Sequence, residues 1–127
     1  MKVEKIVSES APNPIGPYSQ AIRAGGFLFT SGQLPLNPAD GKPVAGDVRL
    51  QARRVLENLA AVLKAADLDF SSVVRTVIYT TDLSLFKEIN AEYGEHFSKE
   101  PYPARSTVQV AALPLGCAVM MDMTAKT

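Results

Sequence analysis

The sequence predicts a single α+β domain, from the order of its strand and helix signals and from its size. Three strand candidates come before residue 35, and two later segments repeat their apolar residues at helical spacing. The chain has 127 residues, 46% of them hydrophobic, which is enough for one core but hardly for two. We therefore expect residues 1–127 to fold as one unit.

The first part of the chain predicts a meander of three strands, over residues 2–7, 19–24 and 27–34. The pair Gly25-Gly26 supplies a tight turn between the second and third strands. A loop rich in proline then separates the meander from the first helix.

A long amphipathic helix is predicted next, from an N-cap at Asp47 to about Ala66. Its apolar residues keep helical spacing and define the face that we expect against a sheet, whereas its charged residues fall off that stripe. The charged residues, which we expect to form a solvated surface, are Arg49, Arg53, Arg54, Glu57 and Lys64.

The second half of the chain predicts a strand over 73–81, a helix over 84–97 and two final strands over 104–110 and 118–125. The strand-helix-strand order indicates a parallel crossover. Together with the meander, these elements predict a mixed six-stranded sheet with both helices on one face.

The predicted strands carry apolar side chains on both faces of the sheet, as in segments 27–29, 77–79 and 119–121. Two helices cover only one of these faces. The other would leave an apolar patch larger than soluble monomers usually tolerate, so we expect self-association through the sheet and sites at the seams between subunits.

Composition argues against several classes of function. Thirteen Lys and Arg balance thirteen Asp and Glu, which leaves no electrostatic footprint for nucleic acid or a membrane surface. No apolar run approaches membrane-spanning length, and charges interrupt the first apolar residues, so we expect neither a signal peptide nor an anchor. The lone Cys117 allows no intrachain disulfide and favours a cytoplasmic location.

Familiar catalytic motifs are missing from the sequence. It has no phosphate-binding glycine loop, nucleophile elbow or CxxC motif, and a single histidine makes no metal-binding pair. We therefore expect no cofactor and no metal. His96 is interpreted as a solvated residue favoured by the helix dipole, and Cys117 as an inert thiol.

Arg105 is the most informative side chain, because it places a guanidinium at the start of an apolar strand. A guanidinium offers paired donors that match a carboxylate and stays charged near neutral pH, so it predicts a small organic acid as ligand. For a lone strand arginine, an ion pair with a nearby Asp or Glu is the stronger interpretation. Ser31-Gly32 presents a similar choice between an oxyanion site and a β-bulge with a surface serine, and the β-bulge is favoured.

Four motifs occur together in the order and spacing of one family: Gly16-Pro17-Tyr18-Ser19-Gln20, Ser31-Gly32-Gln33, Asn90-Ala91-Glu92-Tyr93 and Pro103-Ala104-Arg105-Ser106. Over residues 6–123 the chain resembles the Rid (YjgF, reactive intermediate deaminase) family. The resemblance implies a chorismate-mutase-like α+β fold and a homotrimer, with a central barrel of sheets and clefts between subunits. It also implies hydrolysis of the enamine and imine acids 2-aminoacrylate and 2-iminobutanoate to 2-oxo acids and ammonia, without a cofactor.

The resemblance also implies a role for each matching residue. Arg105 would anchor the substrate carboxylate and Tyr18 would supply an aromatic wall and a hydroxyl, so these two are the predicted catalytic residues. A positioned water would attack the C=N carbon. The predicted substrate-binding residues are Ser31, Gly32, Asn90, Ser106, Thr107 and Met120.

The last strand departs from the family pattern. Active deaminases of this family typically have Glu-Ile-Glu where this chain has Met120-Met121-Asp122. The water-orienting glutamate corresponds to Met120, and a thioether holds or deprotonates water poorly. Asp122 lies on the same strand face but about 7 Å further along, so a hydrogen bond or ion pair unrelated to catalysis is the stronger interpretation for it.

Three functions remain open at this point. The favoured one is an imine or enamine deaminase, with activity reduced by Met120. The second is a family member that binds small 2-oxo or imino acids with little or no turnover. The third is an endoribonuclease or translation inhibitor, against which the balanced charge and the single histidine argue.

Overall fold

The computed structural model describes residues 2–127, which form one six-stranded sheet and two α-helices, and residue 1 lies outside this description. The helices are α1, Val48–Ala65, and α2, Phe86–His96. The strands β1 to β6 are, in chain order, Glu4–Ile6, Ala21–Ala24, Phe27–Thr30, Val73–Thr80, Ala104–Gln109 and Val119–Lys126.

The strand order across the sheet is β1-β2-β3-β6-β4-β5. Strands β1 to β3 form the predicted antiparallel meander, and β6 inserts antiparallel between β3 and β4. Strands β4 and β5 are parallel, with α2 between them in the chain, as the predicted crossover requires. The mixed six-stranded sheet is therefore confirmed, and β5 is one of its two edges.

Helix α1 begins where the sequence predicts. The Asp47 carboxylate accepts a hydrogen bond of 3.0 Å from the backbone N–H of Leu50, which satisfies one donor of the first turn. The helix ends at Ala65, and Asp67 then adopts a left-handed conformation with a φ of 61°. Its apolar stripe is buried against the sheet: Val48, Ala52, Val55, Leu56, Leu59, Val62 and Leu63.

Five of the six predicted strands are shorter than expected, and the one predicted over residues 27–34 loses the most. Strand β3 ends at Thr30 rather than at residue 34, because Ser31 and Gly32 leave the ladder. The chain rejoins the sheet only at Gln33, whose N–H donates to the Met121 carbonyl at 2.8 Å.

The two faces of the sheet differ in burial. The face under the helices carries fully buried side chains such as Leu28, Ile78 and Met121. The opposite face, which we call the open face, leaves Phe29 48% exposed and Val108 42% exposed. An apolar face without a helix cover is therefore present in the protomer, and its self-association stays a prediction. Among the described residues, no helix combines the length and the apolar character needed to cross a membrane.

Candidate active site

Arg105 lies on the edge strand β5 and extends along helix α2. Its Nη1 donates a hydrogen bond of 2.8 Å to Asn90 Oδ1. Its Cζ atom lies 5.0 Å from the ring centroid of Tyr93 and 5.6 Å from that of Phe86, which is the range of a cation–π contact. Within residues 2–127 no carboxylate forms an ion pair with Arg105, so the ion-pair interpretation of this arginine is wrong.

Helix α2 presents these three partners on one side. Phe86, Asn90 and Tyr93 are spaced four and three residues apart, which aligns them along one helix face. The sequence predicts Phe86 and Tyr93 as core residues, and Tyr93 is indeed only 6% exposed. Their contact with Arg105 is a feature that sequence reasoning missed, although the spacing around Asn90 carried a signal for it.

A hydrogen bond fixes the hydroxyl end of the Tyr93 side chain. Its hydroxyl donates a hydrogen bond of 3.0 Å to Thr76 Oγ1, and both side chains are buried. Burial raises the pKa of the Tyr93 phenol, so the group stays neutral and remains a donor. Its ring also stacks on Phe97, with centroids 4.5 Å apart.

A groove of about 570 Å³ opens beside the Arg105 guanidinium. Helix α2 lines it through Asn90 and Tyr93, and the segment before β5 lines it through Tyr102 and Pro103. An anion entering this groove meets the Arg105 guanidinium, which has no acidic partner among residues 2–127. The arrangement is suited to binding a small carboxylate.

Tyr18 and Gly32 line a second groove, of about 350 Å³, together with residues of the loop before β6 such as Leu115. Tyr18 is 52% exposed, and its hydroxyl accepts a hydrogen bond of 3.4 Å from the Ile15 N–H. Neither Arg105 nor Asn90 lines this groove. Within one protomer, the two predicted catalytic residues therefore belong to separate grooves.

The other predicted residues divide between the two faces of the sheet. Thr107 lies on the same face as Arg105, two residues along β5, in register with the buried Ile78. Ser106 lies on the open face, where its Oγ accepts a hydrogen bond of 3.3 Å from Arg75. Met120 also lies on the open face, in register with Tyr79.

Ser31 and Gly32 are held at the end of β3. The Ser31 hydroxyl donates a hydrogen bond of 2.6 Å to the Ser19 carbonyl. A Cβ added at Gly32 would lie 2.8 Å from the Met120 sulfur, so this glycine accommodates a side chain from β6. A glycine near a strand indicates that another group approaches its backbone closely, and at Gly32 that group is the Met120 side chain.

Asp122 is held by a hydrogen bond, which is the interpretation that its sequence position favoured. The Tyr79 hydroxyl donates a hydrogen bond of 2.9 Å to Asp122 Oδ2, and both side chains lie on the open face of the sheet. Burial raises the pKa of Tyr79, and the hydrogen bond to Asp122 raises it further.

The buried carboxylate of Glu92 connects the two helices. Glu92 of α2 is 1% exposed, forms ion pairs with Arg49 and Arg53 at 3.1 and 3.2 Å, and shares a hydrogen bond of 3.1 Å with the His96 ring. Burial alone would raise the pKa of Glu92, but the hydrogen bonds from Arg53, His96 and Arg49 outweigh it and lower the pKa to about 2.

This cluster adds a contact to the predicted solvated surface of α1. The side chains of Arg49 and Arg53 stay 40% and 47% exposed, as predicted, but their guanidinium groups also bind Glu92. The prediction of a solvated His96 is wrong, since its ring lies 24% exposed beside Glu92 and Phe70.

Other candidate groups are less suited to chemistry. Cys117 is buried, and burial raises the pKa of its thiol, which keeps it protonated. Across residues 2–127, no three His, Cys, Asp or Glu side chains are grouped closely enough to hold a metal ion.

The mixed six-stranded sheet with two helices on one face matches the YjgF-like, chorismate-mutase-like fold of solved structures. A family model described as Endoribonuclease L-PSP matches residues 8–127. The chain belongs to the Rid (YjgF) family.

Individual relatives extend this result. The chain is 54% identical over 127 residues to Protein DfrA of Myxococcus xanthus, covering 98% of this chain and 96% of that one. It is 46% identical over 125 residues to Reactive Intermediate Deaminase A, chloroplastic, of Arabidopsis thaliana, covering 98% of this chain and 66% of that one. The crystal structure of YyfA from Yersinia pestis, described as a member of the conserved Rid family, matches with a TM-score of 0.96 and 40% identity, covering 99% of this chain and 100% of that one. Family membership supports an imine deaminase-like function in general.

Proposed function

We propose that this protein hydrolyses reactive enamine and imine acids, such as 2-aminoacrylate and 2-iminobutanoate, to 2-oxo acids and ammonia. The observation that carries the proposal is the state of Arg105. Its guanidinium is held by Asn90 and two aromatic rings at the edge of a groove, with no acidic partner among the described residues. A positioned and uncompensated guanidinium favours a carboxylate, the group that all these substrates share.

The reaction needs little beyond positioning. An enamine acid first takes a proton at its β-carbon and becomes the iminium acid. Water then adds to the C=N carbon, a proton moves from the added oxygen to nitrogen, and the C–N bond breaks as the remaining hydroxyl proton is released to solvent, which leaves a 2-oxo acid and ammonia. Arg105 would hold the carboxylate next to the reacting carbon, so that a bound water reaches it in the correct orientation.

Assembly would complete the site. The Arg105 groove lies at the β5 edge of the sheet, whereas Tyr18 and Gly32 line the second groove. In the proposed homotrimer, the Arg105 groove of one subunit faces the Tyr18 groove of the next. The exposed apolar side chains of the open face support burial against another copy.

A second candidate function rests on Met120. No carboxylate occupies that position, and Asp122 is engaged by Tyr79. Both observations favour a protein that binds small 2-oxo or imino acids with little turnover, because the attacking water then lacks a general base.

The deciding experiment measures ammonia release from 2-iminobutanoate that an amino-acid oxidase generates in the same solution. We expect faster release than in buffer, and a loss of about a hundredfold or more in kcat/KM for Arg105→Ala, since each charge-assisted hydrogen bond contributes about 1.5 to 3 kcal/mol. Lys64→Ala, on the last turn of α1, is the control and should leave the rate unchanged.

Two outcomes would redirect the proposal. A wild-type rate equal to that of buffer would reject the deaminase, and calorimetric binding of 2-oxobutanoate in that case would support the non-catalytic binder. The endoribonuclease description of the family model suggests a separate test with single-stranded RNA. We expect the RNA to stay intact, because the chain has no net charge to attract a polyanion.

A further inference from the structure

We propose that Tyr93 is a positioning residue for the carboxylate site, whose ring holds the Arg105 guanidinium toward the groove. This inference rests on the proposed function of Arg105 as the carboxylate anchor. It assigns a role in the site to a residue that the sequence predicted only as part of the core.

The first support is a closed set of contacts between two strands and one helix. Thr76 of β4 and Arg105 of β5 are register partners, and their side chains leave the sheet on the same face. Tyr93 of α2 donates to Thr76 Oγ1 at 3.0 Å and places its ring centroid 5.0 Å from Arg105 Cζ. The tyrosine is thus attached to the strand next to the one that carries the arginine.

The second support is that this tyrosine has little freedom to move. Tyr93 is 6% exposed and Thr76 is fully buried. The Tyr93 ring packs against Phe97 with an interplanar angle of 17°. A free arginine side chain would lose rotamer entropy on binding a ligand, and a fixed ring reduces that cost by orienting the guanidinium beforehand.

The third support is the kind of partner. A carboxylate in this position would compete with the substrate for the guanidinium. An aromatic face attracts the cation through its quadrupole without neutralising it, and Asn90 uses only one of the five N–H donors. The remaining donors stay available for a ligand.

The test compares Tyr93→Leu, which removes the ring, with Tyr93→Phe, which keeps the ring and loses the hydroxyl. Phe70→Leu is the matched control, because Phe70 packs against Phe97 in the same aromatic cluster but contacts neither Tyr93 nor Arg105 and does not line the Arg105 groove. Steady-state deamination of 2-iminobutanoate gives KM and kcat. Calorimetry gives Kd for 2-oxobutanoate and for its methyl ester, which lacks the anionic carboxylate.

We expect Tyr93→Leu to raise KM and the Kd of 2-oxobutanoate about three- to tenfold, from the usual strength of a partly desolvated cation–π contact. The kcat and the Kd of the methyl ester should stay within twofold, and Tyr93→Phe and Phe70→Leu should both resemble wild type. A purely structural defect would change both ligands alike. The inference is overturned if Tyr93→Leu leaves the preference for the acid over the ester unchanged, or if Tyr93→Phe is impaired as much as Tyr93→Leu.

Folding and function are separated within the same experiment. If Tyr93→Leu does not fold because the Thr76 hydroxyl loses its donor, the double variant Tyr93→Leu/Thr76→Val removes both polar groups and is compared with Thr76→Val alone. A wild-type protein that binds 2-oxobutanoate without turnover still tests the inference through Kd. A wild type that binds neither ligand rejects the proposed function and the inference together, whereas an active wild type with an unaffected Tyr93→Leu rejects the inference alone.

Discussion

Met120 lies so close to Gly32 that a Cβ on residue 32 would sit 2.8 Å from the Met120 sulfur and 3.1 Å from its Cε. This contact joins β6, where the chain departs from the family pattern, to the segment that lines the Tyr18 groove. A substitution at either residue therefore changes the space available to the other side chain.

Gly32→Ala is expected to destabilise the protein by at most about 1 kcal/mol, because the flexible thioether of Met120, which is half-buried on the open face, must move aside. The free energy of unfolding from urea titration measures the effect. The double variant Gly32→Ala/Met120→Ala removes the clash, so the cost of the alanine at residue 32 should disappear when it is measured in the Met120→Ala background. An equal cost in both backgrounds would show that the contact is not responsible.

Met120→Glu is expected to increase kcat for 2-iminobutanoate by about tenfold or more, because a positioned general base commonly contributes a factor of 10² to 10⁴. Met120→Gln is the control, since it is polar and similar in size but does not deprotonate water. The ammonia-release assay compares both with wild type. An unchanged rate for Met120→Glu, beside an already fast wild type, would mean that Met120 does not limit turnover.

The fold could be predicted from local patterns because most of its elements are specified locally. Asp47 caps α1 through a contact three residues away, and the order of β4, α2 and β5 implies the parallel crossover. The end of β3 is different, because Ser31 and Gly32 leave the ladder beside a side chain from β6. That packing partner is distant in sequence and has no local signal.

The site is predictable only in part, for the same reason. Arg105 stands out by its chemistry, but its partner Asn90 lies fifteen residues earlier. Arg49 and Arg53 are four residues apart and so share a helix face, yet nothing local indicates that Glu92 of α2 lies opposite them. Sequence reasoning therefore finds the charges of α1 but not the buried acid that they surround.

Phe29→Lys is expected to dissociate the proposed homotrimer, because it places a charge on the open face of the sheet, where Phe29 is 48% exposed. Sedimentation velocity measures the change in mass. The imine assay should lose activity in parallel if each site needs two subunits. Leu50→Lys, at a residue of α1 that is 43% exposed, is the matched control and should leave assembly and activity unchanged. A wild type that sediments as a monomer would contradict the proposed assembly.

Glu92→Gln is expected to lower the free energy of unfolding by about 3 kcal/mol at pH 7, because the buried Glu92 carboxylate loses the charge that its hydrogen bonds from Arg49 and Arg53 stabilise. The pKa of Glu92 lies at about 2 in the folded protein and near 4.5 in the unfolded chain. Its contribution is therefore complete above the unfolded value and is lost as the pH falls toward the folded one.

Urea unfolding between pH 2.5 and 7 tests this pH dependence. The difference between wild type and Glu92→Gln should be constant above about pH 5.5 and should shrink as the pH is lowered through the interval between the two pKa values. Glu57→Gln is the control, because Glu57 pairs with Arg54 at the surface with its side chain 51% exposed, and such pairs contribute little. A difference that stays constant down to pH 2.5 would contradict the low pKa of Glu92 and leave packing as the source of its effect.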